Sequence, residues 1–206
     1  MPLNWFKDVG KIYDKGQPYV TFAKTEVGRE SIEKGLKSLV SGEKLGVAVE
    51  VGPGVNPFLN KVEADRKVFV DVSKTLLDKL RVGRQFDFFS KTFFVQGKVQ
   101  SVKGLPESLP VKKSDLIIMN EVLSHVHPDA REGVLRDLAG KSNKILITDM
   151  FEDRGLGVNP EQISDVLTRE GFSVKQSKHM VRVRAKSKSG GLESEVLNYF
   201  IIQAKK

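Results

Sequence analysis

The sequence predicts an α/β protein: a seven-stranded, mostly parallel sheet covered by helices on both faces and finished by an antiparallel hairpin. Two observations predict it. From Leu45 onward, short β-branched runs alternate with helical segments, the order that builds parallel sheets through crossover helices. The C-terminal end breaks that alternation, because two long strand-like stretches, Phe172 to Lys188 and Leu192 to Ala204, flank Ser189-Gly190-Gly191. Two long strands around a glycine turn read as a hairpin.

The other expected strands are Gly46 to Val51, Val68 to Asp71, Lys98 to Val102, Asp115 to Met119 and Lys144 to Asp149. Helix starts are marked by Asn56-Pro57, His127-Pro128 and Asn159-Pro160, since proline suits the first helical position and asparagine caps the one before it. Gly140 and Gly171 stand where the later two helices should stop. Ile32, Leu36, Leu39 and Val40 form the stripe of one further helix ahead of the first strand.

Residues 1–44 read as an N-terminal helical lid or cap and residues 45–206 as the sheet domain, the two making one compact unit. The lid carries Tyr13, Tyr19 and Phe22, which with Phe151 are the candidate substrate contacts. Residues 82–97, holding Phe86, Phe88, Phe89, Phe93 and Phe94, read as an insertion before the third strand.

Composition narrows the chemistry. With no cysteine among 206 residues, disulfides, zinc-thiolate sites, iron-sulfur clusters and cysteine nucleophiles are excluded. The histidines His125, His127 and His179 form no H-E-x-x-H pattern, so no metal is expected. No apolar run reaches the roughly 18 residues of a membrane span, and Pro2, Asn4, Lys7 and Asp8 stand where a signal peptide would be apolar. A cytoplasmic protein is the expectation.

The net charge of +8 is concentrated, because residues 173–206 hold eight Lys/Arg against two Glu, a local +6. Lys178, Arg182, Arg184, Lys186 and Lys188 share even parity, which in a strand means one face. With Gly190-Gly191 as a two-residue turn, Lys188 would oppose Glu193 and Lys186 would oppose Glu195 as cross-strand ion pairs. Arg182 and Arg184 would then face Tyr199 and Leu197, and are the candidate contacts to a polyanion.

The most informative stretch is Val47-Ala48-Val49-Glu50-Val51-Gly52-Pro53-Gly54-Val55-Asn56-Pro57, an apolar strand running into a glycine turn and a helix start. Glycines let the backbone approach a ligand closely, and a helix N-terminus offers unpaired N–H groups. Asp71 ends the apolar run Val68-Phe69-Val70 nineteen residues after Gly52. An acid there suits both hydroxyls of an adenosine ribose. The nicotinamide fingerprint G-x-G-x-x-G fails at Pro57, which counts against NAD.

The E-x-G-x-G of Glu50, Gly52 and Gly54 resembles the first motif of class I S-adenosylmethionine-dependent methyltransferases. Gly104-Leu105-Pro106-Glu107-Ser108-Leu109-Pro110 resembles the family's G-D-A-E-x-L-P segment, and Val122-Leu123-Ser124-His125-Val126 its V-L-x-H-V turn. The similarity runs from about Leu45 to the C-terminus, roughly three quarters of the chain. It implies a Rossmann-like methyltransferase fold, S-adenosyl-L-methionine as cofactor, and a small-molecule or RNA acceptor. It also implies cofactor contacts from Glu50, Gly52, Pro53, Gly54, Asp71, Val72, Leu105, Pro106 and Asn120. Leu105 replaces the acid that usually meets the adenine amino group, and Asn120-Glu121-Val122 replaces N-P-P-Y.

A sulfonium already carries an activated methyl group, so alignment and exclusion of water matter more than a dedicated base. Where a base is needed, Glu121, His125 and Asp149 are the candidates. Each also has a structural reading: Glu121 and His125 as a helical i, i+4 pair, Asp149 as a cap on the turn into Phe151. Two readings from other classes are a non-catalytic polyanion- or RNA-binding protein on the same fold and a nicotinamide oxidoreductase.

Overall fold

A computed structural model describes residues 25–54, 57–71, 73–82, 91–96, 113–126, 128–151, 158–186 and 192–206. The strands are β1 (Leu45–Val51), β2 (Ala64–Asp71), β3 (Lys91–Gln96), β4 (Leu116–Asn120), β5 (Lys144–Met150), β6 (Ser173–Lys186) and β7 (Leu192–Lys205). They form one sheet in the order β3-β2-β1-β4-β5-β7-β6, in which only β7 runs against the rest. The chain therefore starts at the centre, moves outward to β3, and returns to lay β4 against the other side of β1. Crevices for ligands open at such a reversal, at the carboxyl ends of the strands. Here that is the meeting of Val51 with Met119.

Helix α1 (Glu26–Val40) begins where the Thr25 hydroxyl accepts the Gly28 N–H at 3.1 Å. It buries Ile32, Leu36 and Leu39 on one sheet face with Leu146, Tyr199 and Ile201. Helix α2 (Lys74–Val82) and a 3-10 turn at Phe58–Lys61 cover the same side. The other face is covered by α3 (Pro128–Lys141) and α4 (Pro160–Arg169), whose Leu135, Leu138, Ile163 and Leu167 pack on Val49, Met119, Ile147 and Phe200. Both apolar faces are thus sealed, as a parallel sheet requires. Truncating a fully buried core side chain such as Ile32 costs about 2–5 kcal/mol. Among the described residues no helix is long and apolar enough to cross a membrane.

Asn159 caps α4 as its sequence predicts, its Oδ1 accepting the N–H groups of Glu161 and Gln162 at 2.9 and 3.2 Å. Gly171 follows with φ +85°, the left-handed turn that glycine adopts without strain. Helix α3 stops at Lys141, one residue past Gly140.

Three expectations are corrected. A strand runs beside β2 at Lys91–Gln96; the stretch 98–102, expected as the third strand, lies outside the described residues. The Phe-rich stretch is therefore not simply an insertion: Phe93 and Phe94 are strand residues opposite Val68 and Phe69, and the Phe94 ring stacks on Phe69 at 5.6 Å. Pro57 does not open a helix, because it caps a 3-10 turn of four residues, after which Val62 is already extended toward an eight-residue β2. The hairpin register also differs. Lys186 pairs with Leu192, Arg184 with Ser194 and Arg182 with Val196, so neither Glu193 nor Glu195 opposes a basic residue, and residues 187–191 lie outside the described residues. Tyr13, Tyr19, Phe22 and the rest of residues 1–24 lie outside the described residues.

Candidate active site

The loop after β1 is shaped from beneath by Glu50. This carboxylate is fully buried, and its two oxygens accept the backbone N–H groups of Phe58 and Leu59 at 3.0 and 2.8 Å. A carboxylate between successive N–H groups at the head of a helical turn satisfies donors that would otherwise be orphaned. Glu50, expected among the cofactor contacts, holds the backbone of Phe58 and Leu59.

Above it, Gly52 and Gly54 both adopt left-handed backbone, with φ of 68° and 58°. Gly52 is wedged: a Cβ there would lie 2.4 Å from Val122 Cγ2 and 3.2 Å from the Asn120 carbonyl oxygen. A Cβ at Gly54, at the carboxyl end of the sheet, would meet none of the described residues within 4 Å. Pro53 between them is buried.

Asp71 ends β2 half-buried, and its Oδ1 accepts the Ser73 N–H at 2.8 Å, which fixes the carboxylate at the strand's carboxyl end. The neighbouring Val51 and Val70 are paired in register, so Asp71 and Gly52 continue adjacent strands into the same crevice. Val72, Leu105 and Pro106 lie outside the described residues.

On the other side of the crevice, β4 ends at Asn120, whose Oδ1 accepts the Thr148 hydroxyl at 2.5 Å. Thr148 escaped the sequence reading, though a hydroxyl in the apolar run Ile145-Leu146-Ile147 signals a buried partner. Glu121 follows with φ +52°, and Leu123–His125 is a 3-10 turn. No helix spans 121–125, so the helical i, i+4 reading of Glu121 and His125 does not hold.

Beneath that turn lies Asp149, fully buried at the end of β5. Its Oδ2 accepts the Ser124 N–H at 3.0 Å and its Oδ1 the Met150 N–H at 2.8 Å. Burial pushes its carboxyl above the ordinary carboxylate range, while hydrogen bonds from Ser124 and Met150 and the nearby His125 pull the other way. Burial holds the His125 imidazole below its usual value, against the opposing charge of Asp149. Arg131 in α3 completes the support, donating from Nε to the carbonyls of Leu123 and Val126 at 3.1 and 3.0 Å. Those two carbonyls bracket His125. Nothing in the sequence marks Arg131 beyond its place on the first turn of α3.

Phe151, the next residue after β5, is half-buried with the Lys178 ammonium 5.1 Å from its ring centroid. Lys178 also pairs with Glu161 at 2.7 Å. Arg182 and Arg184 lie farther along β6, beyond this contact.

Sequence comparison finds no matching family model and no matching curated protein. Solved structures do match over the whole chain. The N-methyltransferase NodS from Bradyrhizobium japonicum, in complex with S-adenosyl-L-homocysteine, superposes with TM-score 0.65 at 13% identity, over 98% of this chain and 98% of its own. Magnesium protoporphyrin IX methyltransferase from Synechocystis, with bound S-adenosylmethionine, gives TM-score 0.62 at 16% identity over 99% and 92%. A Pyrococcus horikoshii protein described provisionally as an RNA methyltransferase gives TM-score 0.61 at 16% identity over 100% and 99%.

The chain has the class I methyltransferase fold.

In that fold the Gly52–Gly54 loop, Asp71 and Asn120 converge on one crevice at the topological reversal, with His125 and Phe151 on the side of β4 and β5. Two methyltransferases of this fold hold the cofactor or its demethylated product.

Proposed function

We propose that this protein is an S-adenosylmethionine-dependent methyltransferase. The observation that carries the reading is the Gly52–Gly54 loop: one glycine packed against the β4 turn, the next clear of the described residues, with a half-buried aspartate ending the adjoining strand. These residues fit the cofactor. The backbone at Gly52 to Gly54 would lie along the amino-acid tail, Asp71 would accept from the ribose hydroxyls, and Asn120 would close the β4 side. When bound, the cofactor's sulfonium supplies the activated methyl group.

The chain's own work is then positional. Glu50 holds the loop by gripping the backbone of Phe58 and Leu59. Asp149 and Arg131 hold the turn that carries His125, one from Ser124 and the other from the carbonyls on either side. His125, carried by that turn on the β4 side of the crevice, is the candidate to accept a proton from an oxygen or nitrogen acceptor. Asp149, fully buried, acts through that turn and not on the acceptor itself. Among the neighbours named above the acceptors differ, so the fold leaves the acceptor to the surface around the crevice.

Thermal unfolding with S-adenosylhomocysteine, S-adenosylmethionine and NAD tests the reading. A ligand at 100 times its dissociation constant adds about 2.7 kcal/mol of stability. Stabilisation by the two sulfur compounds and none by NAD is expected; stabilisation by NAD alone would overturn it.

A further inference from the structure

The glycine loop is poor in donors. The Gly52 N–H is already given to the Val70 carbonyl at 2.9 Å, and Pro53 has no N–H to give. Neither residue therefore offers an N–H to an anion. The amino-acid tail of the proposed cofactor carries two charges, an ammonium and a carboxylate, and its carboxylate needs a donor from elsewhere in the crevice.

Asn120 borders the loop from the β4 side, since its carbonyl oxygen would lie 3.2 Å from a Cβ on Gly52. Its side chain reaches Thr148, its partner in the parallel register, whose hydroxyl donates to Asn120 Oδ1 at 2.5 Å. Thr148 is fully buried. The threonine's carbonyl is engaged as well, accepting the Glu121 N–H at 2.7 Å. One threonine thus ties the end of β4 to β5 through both its side chain and its backbone.

The side-chain contact has a direction. A hydroxyl has one hydrogen to donate, whereas a primary amide has an oxygen that accepts and a nitrogen that donates two hydrogens. Were the Asn120 amide turned over, Nδ2 would donate to the threonine oxygen, and the hydroxyl hydrogen would need a different acceptor. Among the described residues Asn120 Oδ1 is the acceptor it has. Leaving a buried donor without an acceptor is costly, so Thr148 holds Oδ1 on the β5 side and turns the two N–H bonds of Nδ2 away from β5.

We infer that Thr148 is a positioning residue that fixes Asn120 as a hydrogen-bond donor, and that this donor selects the carboxylate of the amino-acid tail. Without the hydroxyl, the amide presents its oxygen or its nitrogen alike, and meets an ammonium as readily as a carboxylate. The inference rests on the S-adenosylmethionine reading of the crevice and adds to it which residue reads which end of the tail.

The test is calorimetric titration with two compounds, S-adenosylhomocysteine and its decarboxylated analogue, which keeps the adenosine, the sulfur and the amine. Thr148→Val, which removes the hydroxyl and keeps the branched shape, should bind S-adenosylhomocysteine about tenfold more weakly, because a hydrogen bond to a charged group is at stake. It should bind the decarboxylated analogue as wild type does. Thr148→Ser restores the hydroxyl and should recover the lost affinity. Asn120→Ala should show the same selective loss, and keeps the test decisive where valine at 148 prevents folding; thermal midpoints of the unliganded variants report that. An unchanged affinity for S-adenosylhomocysteine in Thr148→Val, or an equal weakening for both compounds, would overturn the inference, the second being what a purely structural role gives. Wild type binding neither compound would overturn the S-adenosylmethionine reading and the inference with it, whereas wild type binding both with no selective loss in the variants overturns the inference alone.

Discussion

Val122 closes over Gly52 so tightly that a Cβ on the glycine would lie 2.4 Å from the valine's Cγ2. Two residues on, Gly54 adopts a similar left-handed backbone and a Cβ there would touch none of the described residues within 4 Å. One glycine joins the β1 loop to the β4 turn; the other stands clear of the described residues.

The two should respond differently to alanine. Gly52→Ala carries an overpacking cost of about 1–3 kcal/mol on top of about 1–2 kcal/mol for left-handed backbone. Gly54→Ala bears only the second cost, and its effect should fall on binding of S-adenosylhomocysteine. Urea unfolding and calorimetric titration of both variants decide it. Equal losses of stability would contradict the division of labour.

Glu50 gives a second prediction. Hydrogen bonds to a charged group are worth about 1.5–3 kcal/mol each. Glu50→Gln keeps one acceptor for Phe58 or Leu59 and turns an amide N–H toward the other, so a loss of about 2 kcal/mol is expected, read as a lower urea midpoint. A stability equal to wild type would mean the grip on the 3-10 turn contributes nothing.

How much of this was legible beforehand follows from where each element lies. Strands β1, β4 and β5 are central, buried on both faces, and announce themselves as apolar runs. Strand β3 is an edge strand, half-buried and flanked by Lys91 and Gln96, and its sequence looks no more strand-like than 98–102. Its pairing of Phe93 with Val68 is a tertiary choice. The hairpin was legible and its register was not, because Gly190-Gly191 suggests a two-residue turn while the paired strands end at Lys186 and Leu192. In the site, glycines and acids at strand ends were visible. The grip of Glu50 on Leu59 and of Arg131 on two carbonyls was not, since backbone partners leave no mark in sequence.

The histidine gives a third prediction, in pH. Burial lowers the folded-state pKa of His125 and of His179, so the unfolded chain binds more protons near the ordinary value of about 6.5. Their contribution to stability is present above that value and is lost as pH falls through the folded-state values. Stability should therefore drop between about pH 7 and pH 5, and His125→Gln should flatten the drop. In histidine NMR titrations, Asp149→Asn should move the His125 midpoint further down, because the opposing carboxylate charge is removed. An upward move would contradict the arrangement.

The central claim, that the crevice between β1, β2 and β4 holds S-adenosylmethionine, is tested most directly by calorimetric titration of S-adenosylhomocysteine into wild type and Asp71→Ala. Loss of charge-assisted hydrogen bonds worth about 1.5–3 kcal/mol each should weaken binding by about one to three decades, at about 1.4 kcal/mol per decade, with the thermal midpoint of the unliganded protein little changed. No binding by wild type, or equal affinity in the two proteins, would contradict it.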